Sequence, residues 1–188
     1  FLASMLFGAP ITESAATKTY ECFRKYGVLT PKKILKTGWD GLVKILDEGT
    51  YTRYDFKTAD KLLAVTENLA EKYGGSLNLV HSKASDARDL ENRLKSLGKG
   101  VGQVTVSIFL RDLRGIWNKA DPYPTSLEIL AAEQLGIVKK DAMVEKVLEA
   151  LKVFWAKNAV GRRDFVNFET ALFRLGKDLR RKGKSGIS

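Results

Sequence analysis

The sequence predicts an all-α fold, and three observations carry that prediction. Apolar residues recur at three- and four-residue spacing along most of the chain. Thr and Pro stand where several of these runs begin, and Gly stands where they stop. No run alternates apolar and polar residues as a half-buried strand would. The segment Val101 to Leu110 is rich in β-branched residues, but the glycines before it and the later Leu110–Leu113 spacing favour a helix.

The elements follow in order. Leu2, Met5 and Leu6 give a first apolar stripe, inside the opening FLASMLFGAP. That opening lacks a basic leader and is read as a buried helix rather than a signal peptide. It begins at Phe1 rather than Met, so an upstream segment is expected. Glu13 to Tyr26 forms a second helix with Thr12 as its N-cap. Thr30 and Pro31 start a short third that includes Leu35, and Trp39, Leu42, Val43 and Leu46 belong to the next, ending near Gly49. Ala59 to Tyr73 stops at Gly74-Gly75, and Asp86 to Leu97 presents Leu90, Leu94 and Leu97 on one face. Gln103 to Ile116 comes after a glycine turn. Asp121-Pro122-Tyr123-Pro124 is non-helical, because each proline restricts the residue before it. Leu127 to Leu135, capped by Thr125 or Ser126, stops at Gly136. Lys140 to Lys157 and Asn167 to Arg181 complete the helices, Lys139 and Lys140 are read as a solvated helix start, and Ser185 to Ser188 is expected to fray. Trp39 and Trp155 are assigned to the core.

Composition bounds the function. Hydrophobic residues make up 44% of the 188, enough for a real core. No stretch of 18 apolar residues runs without charge, so no membrane span is expected. Cys22 and His81 are the only residues of their kinds. An internal disulfide, a four-cysteine iron or zinc cluster and a two-histidine catalytic pair are therefore excluded. Chemistry must rest on carboxylates, hydroxyls, lysines or backbone groups. A net charge of +10 favours a polyanionic partner. The stretch Arg174 to Lys184 concentrates Arg174, Lys177, Arg180, Arg181, Lys182 and Lys184, with Arg162 and Arg163 a little before it.

The glycine hairpin Leu97-Gly98-Lys99-Gly100-Val101-Gly102-Gln103 carries the most chemistry, together with Asp121 downstream. Glycines at 98, 100 and 102 let backbone N–H groups approach a ligand. The helix starting near Gln103 directs partial positive charge at the same place, which suits a phosphate. Lys99 adds a mobile cation. The spacing is neither that of a P-loop nor that of a dinucleotide fingerprint. The competing reading is a tight helix–helix turn that binds nothing.

The residues Phe1 to Leu6, Lys18 to Tyr26, Gly49-Thr50-Tyr51, Lys57-Thr58-Ala59-Asp60-Lys61-Leu62, Leu97 to Gly102, Thr105, Ala120-Asp121 and the Ala131-Ala132 helix together resemble DNA glycosylases of the helix-hairpin-helix superfamily, nearest to endonuclease III and its adenine-mismatch relatives. The likeness runs to about residue 136, and the last helix fits the family ending. It implies a two-lobed helical fold over residues 1–188, with 18–116 approximating the central lobe and the two chain ends forming the other. It implies a hairpin gripping the backbone of double-stranded DNA through Lys99, Gly100, Gly102, Gln103 and Thr105, often with a monovalent cation, here at the Gly98 and Gly100 backbone. The target nucleotide leaves the duplex for a groove between the lobes. Asp121 takes the position of the catalytic carboxylate. It would stabilise positive charge on the deoxyribose or activate water for attack at the anomeric carbon; its competing role is to cap the turn before Pro122.

Three departures shape the expected activity. Where strand-cutting relatives carry a lysine, this chain has Val104, which cannot form a Schiff base with an abasic sugar. The four cysteines of the iron–sulfur cluster are missing, so that cofactor is not expected. The first loop, Gly8-Ala9-Pro10-Ile11, lacks the glutamine that relatives use to fill the gap behind a flipped base, which leaves Ile11 as a candidate apolar wedge. Tyr54, Trp117 and Tyr123 are candidates for a base pocket, with Tyr51 and Arg53 beside Tyr54; ordinary packing is the alternative for each. Arg162, Arg163, Arg180 and Arg181 are candidates to track phosphate. The expectation is a monomeric, monofunctional DNA glycosylase of base excision repair, intracellular, cytoplasmic and nucleoid-associated, or nuclear in a eukaryote. The alternatives are a helix-hairpin-helix DNA-binding protein without chemistry and a basic helical module that binds no DNA.

Overall fold

A computed structural model describes residues 1–185; all of their regular structure is helical, with no strand. The helices are α1 (Leu2–Phe7), α2 (Glu13–Lys25), α3 (Pro31–Glu48), α4 (Asp55–Tyr73), α5 (Leu77–Lys83), α6 (Ala87–Lys95), α7 (Gln103–Arg111), α8 (Ser126–Gln134), α9 (Val144–Asn158) and α10 (Phe165–Ser185). The expectation for residues 186–188 lies outside the described part.

The helix starts follow from local chemistry. The Thr12 and Thr30 hydroxyls each accept the N–H three residues on, at 3.3 Å, and Pro31 occupies the first turn of α3. Thr125 and Glu128 form a reciprocal capping box at α8. Gly74 closes α4 in the left-handed conformation.

Several elements differ from the sequence reading. The two short helices expected from Pro31 to Gly49 form one element broken at Gly38, whose φ of 65° and ψ of 178° no helix contains. Helix α5 was not foreseen: it buries Val80 alone, so it carries no apolar period. Helix α7 ends at Arg111, and i→i+3 turns carry the chain through Leu113 and Arg114. Trp39 lies outside the core to which its spacing assigns it. It is 38% exposed, packs against Phe56 with the two rings tilted by 41°, and its indole N–H donates to Asp60 at 2.8 Å. It stands directly after the Gly38 break, and Leu42, Ile45 and Leu46 take the core face instead. Trp155 is half-buried and stacks on Phe168.

Two apolar cores result. The first joins α1 to α7 around Phe23, Leu42, Leu46, Leu62, Leu90, Leu94 and Leu110; Met5 and Leu6 of α1 lie within it. The second joins α8, α9 and α10 around Ala131, Ala132, Val147, Leu151 and Leu172. Ile108, Leu127 and Phe173, with Phe7 and Val104 against them, form a small joint between the two. Helices α8 and α10 touch where Gly176 meets Leu127. A Cβ on Gly176 would lie 2.0 Å from the Leu127 carbonyl oxygen, so only glycine permits this crossing.

Candidate nucleic-acid interface and carboxylate site

Helix α6 delivers the hairpin. Leu90, Leu94 and Leu97 are fully buried in the first core and fix the helix and the residue that leaves it. Asp86 caps α6, accepting from the N–H groups of Arg88 and Asp89 at 2.8 Å each. The turn rests on α4: a Cβ on Gly98 would lie 2.7 Å from Val65 Cγ2. Gly100 has φ of 88°, a left-handed conformation that suits glycine. Val101 is buried and anchors the turn, whereas Lys99, Gly100 and Gly102 are exposed. Helix α7 then begins at Gln103 with no side chain capping its first N–H groups. The uncapped start of α7, the exposed glycines and Lys99 are therefore adjacent along the chain.

Two other hairpin residues face inward. Thr105 is buried, and its Oγ1 lies 2.7 Å from where a Cβ on Gly8 would stand, so its hydroxyl meets the α1–α2 loop. The Gln103 amide donates to Glu91 Oε2 and to Ser107 Oγ, both at 3.0 Å. Glu91 is 2% exposed and joins the surrounding parts. It accepts from Arg88 in a close ion pair, from the Tyr123 N–H at 3.2 Å, and pairs with Lys95 at 3.6 Å. Ser107 donates onward to the Tyr123 carbonyl at 2.9 Å. This buried carboxylate thus binds both hairpin helices to the loop that carries Asp121.

Asp121 stands in that loop with its side chain 37% exposed. Arg88 donates to its backbone carbonyl. Its carboxylate forms a close ion pair with Arg114 and receives Lys152 Nζ at 2.8 Å on Oδ1 and 2.9 Å on Oδ2. Arg114 in turn grips buried Glu169 through Nε and Nη2, each at 2.8 Å, and donates to the Pro122 carbonyl at 3.2 Å. Burial alone would raise the Asp121 carboxyl, but the bonds from Lys152 and Arg114 outweigh it and hold the group below the usual carboxylate range. Glu169 and Glu128 are pushed up by burial, which Arg114 for the first, and Thr125 then Arg111 for the second, only partly offset. Glu128 pairs with buried Arg111 at 3.5 Å, and Arg111 Nε is buried without a hydrogen-bond partner among the described residues.

Trp117 stacks on His81 with ring centroids 4.6 Å apart and meets Phe109 edge-on. Tyr123 lies under the Arg88 guanidinium at 3.5 Å from its ring centre. Tyr54 is half-buried, edge-on to Tyr51, with Arg53 over its ring. Tyr51 is buried and donates to the Leu6 carbonyl at 2.8 Å, which removes it from the exposed candidates. Arg162 and Arg163 are exposed in the turn before α10. Ile11 packs against the first core and lines a groove of about 700 Å³ with Val104, Leu127, Phe173, Arg174 and Lys177. Ile11 and Val104 therefore share a groove that Asp121, Tyr54, Trp117 and Tyr123 do not line.

Arg114, Lys152, Glu169, Glu91 and Arg88 escaped the sequence reading. Two of them left a signal. Glu169 stands four after Phe165 and three before Leu172, on the apolar stripe of its helix, and Glu91 follows Leu90 and precedes Leu94 by three. A carboxylate at such a position needs a buried partner.

Among the described residues, no group of three or more His, Cys, Asp or Glu side chains could hold a metal ion, and no helix is long and apolar enough to cross a membrane. No protein-family model matches the chain, and no match is found among curated proteins or solved structures.

Proposed function

We propose that the chain is a monofunctional DNA glycosylase of the helix-hairpin-helix type, two-lobed and acting on double-stranded DNA with a damaged or mismatched base. The observation that carries this reading is the uncapped start of α7 behind an exposed Lys99–Gly102 turn, in a chain of net charge +10. Backbone donors, helix dipole and Lys99 together suit a DNA phosphate. The Gly98 and Gly100 carbonyls would share a monovalent cation with that phosphate. The groove lined by Ile11, Val104, Phe173 and Lys177 combines apolar side chains with more basic than acidic ones, a lining suited to an extruded nucleotide.

In this reading water adds to the anomeric carbon, the N-glycosidic bond breaks, and the base leaves with the bonding electrons and takes up a proton. Asp121 has to approach the sugar once DNA is bound. A carboxylate held by the Arg114 guanidinium fits electrostatic support of the oxocarbenium-like sugar better than proton abstraction from water. Val104 supplies no amine, so strand cleavage does not follow. The location that goes with this reading is the nucleoid or the nucleus.

A second reading has an observation in its favour. Both oxygens of Asp121 are engaged by cations and Asp121 does not line the groove, as in a DNA-binding protein without chemistry. Asp121→Asn separates the two. The glycosylase reading expects unchanged affinity for a duplex with an abasic-site analogue and base release slowed by about 10²–10³-fold. Unchanged base release would remove Asp121 from the chemistry.

A further inference from the structure

The two cations on Asp121 differ in kind. The Arg114 side chain is 12% exposed and locked by its two bonds to Glu169 and its bond to the Pro122 carbonyl. Lys152 projects from α9, is 45% exposed, and closes over both carboxylate oxygens. Arg88 reaches only the backbone carbonyl of Asp121, and Glu169 faces Arg114. Of the charged groups on the carboxylate, Lys152 is thus the solvent-exposed one, against a largely buried Arg114. Such a pair is weak and screened by salt, and its ammonium exchanges readily to another anion.

We propose that Lys152 is a latch on Asp121 that a phosphodiester of the bound DNA withdraws. The inference rests on the glycosylase reading and adds a gate to it. In the free protein Lys152 covers the lone pairs that would face a sugar. When a DNA phosphate takes the ammonium, Arg114 still orients the carboxylate, one oxygen is released, and the negative charge is no longer doubly compensated. The carboxylate becomes competent only beside a DNA backbone. Lys152 is therefore a positioning residue, acting through Asp121.

The test is a carbon-13 NMR titration of the Asp121 carboxyl in wild type and Lys152→Met, free and bound to a duplex with an abasic-site analogue. Thermal melting checks that the exposed substitution leaves the fold intact. In the free protein Lys152→Met should raise the Asp121 midpoint, because a favourable cation is gone, and Lys152→Arg should restore it. Duplex binding should raise the midpoint in wild type by more than in Lys152→Met, since only wild type has a latch to lose. An unchanged free midpoint, or equal rises on binding, would overturn the latch. Failure of the wild-type protein to bind the duplex would instead overturn the DNA reading, and the release step with it.

Discussion

The guanidinium of Arg114 holds two carboxylates from distant parts of the chain, Asp121 in the loop before α8 and Glu169 on α10. Glu169→Ala would leave a largely buried cation without its two-point partner. Asp121 still compensates the charge, so a loss of about 1.5–3 kcal/mol is expected in urea unfolding; a loss inside surface-mutation scatter would show that Arg114 finds water instead. The sequence singles out Asp121 as a candidate from its place after the hairpin and before Pro122. Its partners were not legible, because ion pairing between residues 121, 152 and 169 depends on how helices cross. Trp39 shows the opposite error: an indole at core spacing sits outside because the break at Gly38 turns the core face to Leu42, Ile45 and Leu46.

At the level of elements, the hairpin separates a rigid support from an exposed face. Leu97 and Val101 are buried, Gly98 rests on Val65, and Lys99 stands free of the core. Lys99→Ala is expected to weaken duplex binding about equally for all sequences and to lower the salt slope by about one. A slope equal to wild type, measured by fluorescence anisotropy over a salt series, would take Lys99 off the phosphate. Gly176→Ala places a methyl group against the Leu127 backbone. It should destabilise by about 1–3 kcal/mol in a denaturant titration, and an unaffected protein would mean α8 and α10 separate freely. Helices with a clear apolar face, such as α6, could be read in advance. Helix α5 could not, since one buried side chain leaves no period, and neither could the end of α7, where i→i+3 turns replace the helix without a glycine at Arg111.

At the scale of the molecule, the two cores meet at the Ile108–Leu127–Phe173 joint and near the ion pairs Arg111–Glu128 and Arg114–Glu169. These pairs give stability a pH dependence. Glu128 and Glu169 fold with carboxyl values above their ordinary 4.5, so the folded state keeps protons that the unfolded chain has released. Their contribution is greatest below 4.5 and falls as pH rises through the folded values. Asp121 works in the opposite sense: its contribution is present above 3.8 and is lost as pH falls through its lowered folded value. Glu128→Gln should flatten the decline above 4.5 in melting temperature against pH, and a slope unchanged from wild type would contradict the assignment. The apolar and basic character of the chain was legible from composition, but the groove that joins Ile11 to Val104 and Lys177 was not, because it forms only where the cores meet. The most direct test of the glycosylase reading is single-turnover base release from duplexes that each carry one lesion: uracil, thymine opposite guanine, alkylated adenine, oxidised guanine, or adenine opposite oxidised guanine. Strand breaks at one lesion after alkali, and none without it, are the predicted result. No abasic site in any duplex at saturating protein, with salt-sensitive binding intact, would contradict it and leave a DNA-binding protein without this chemistry.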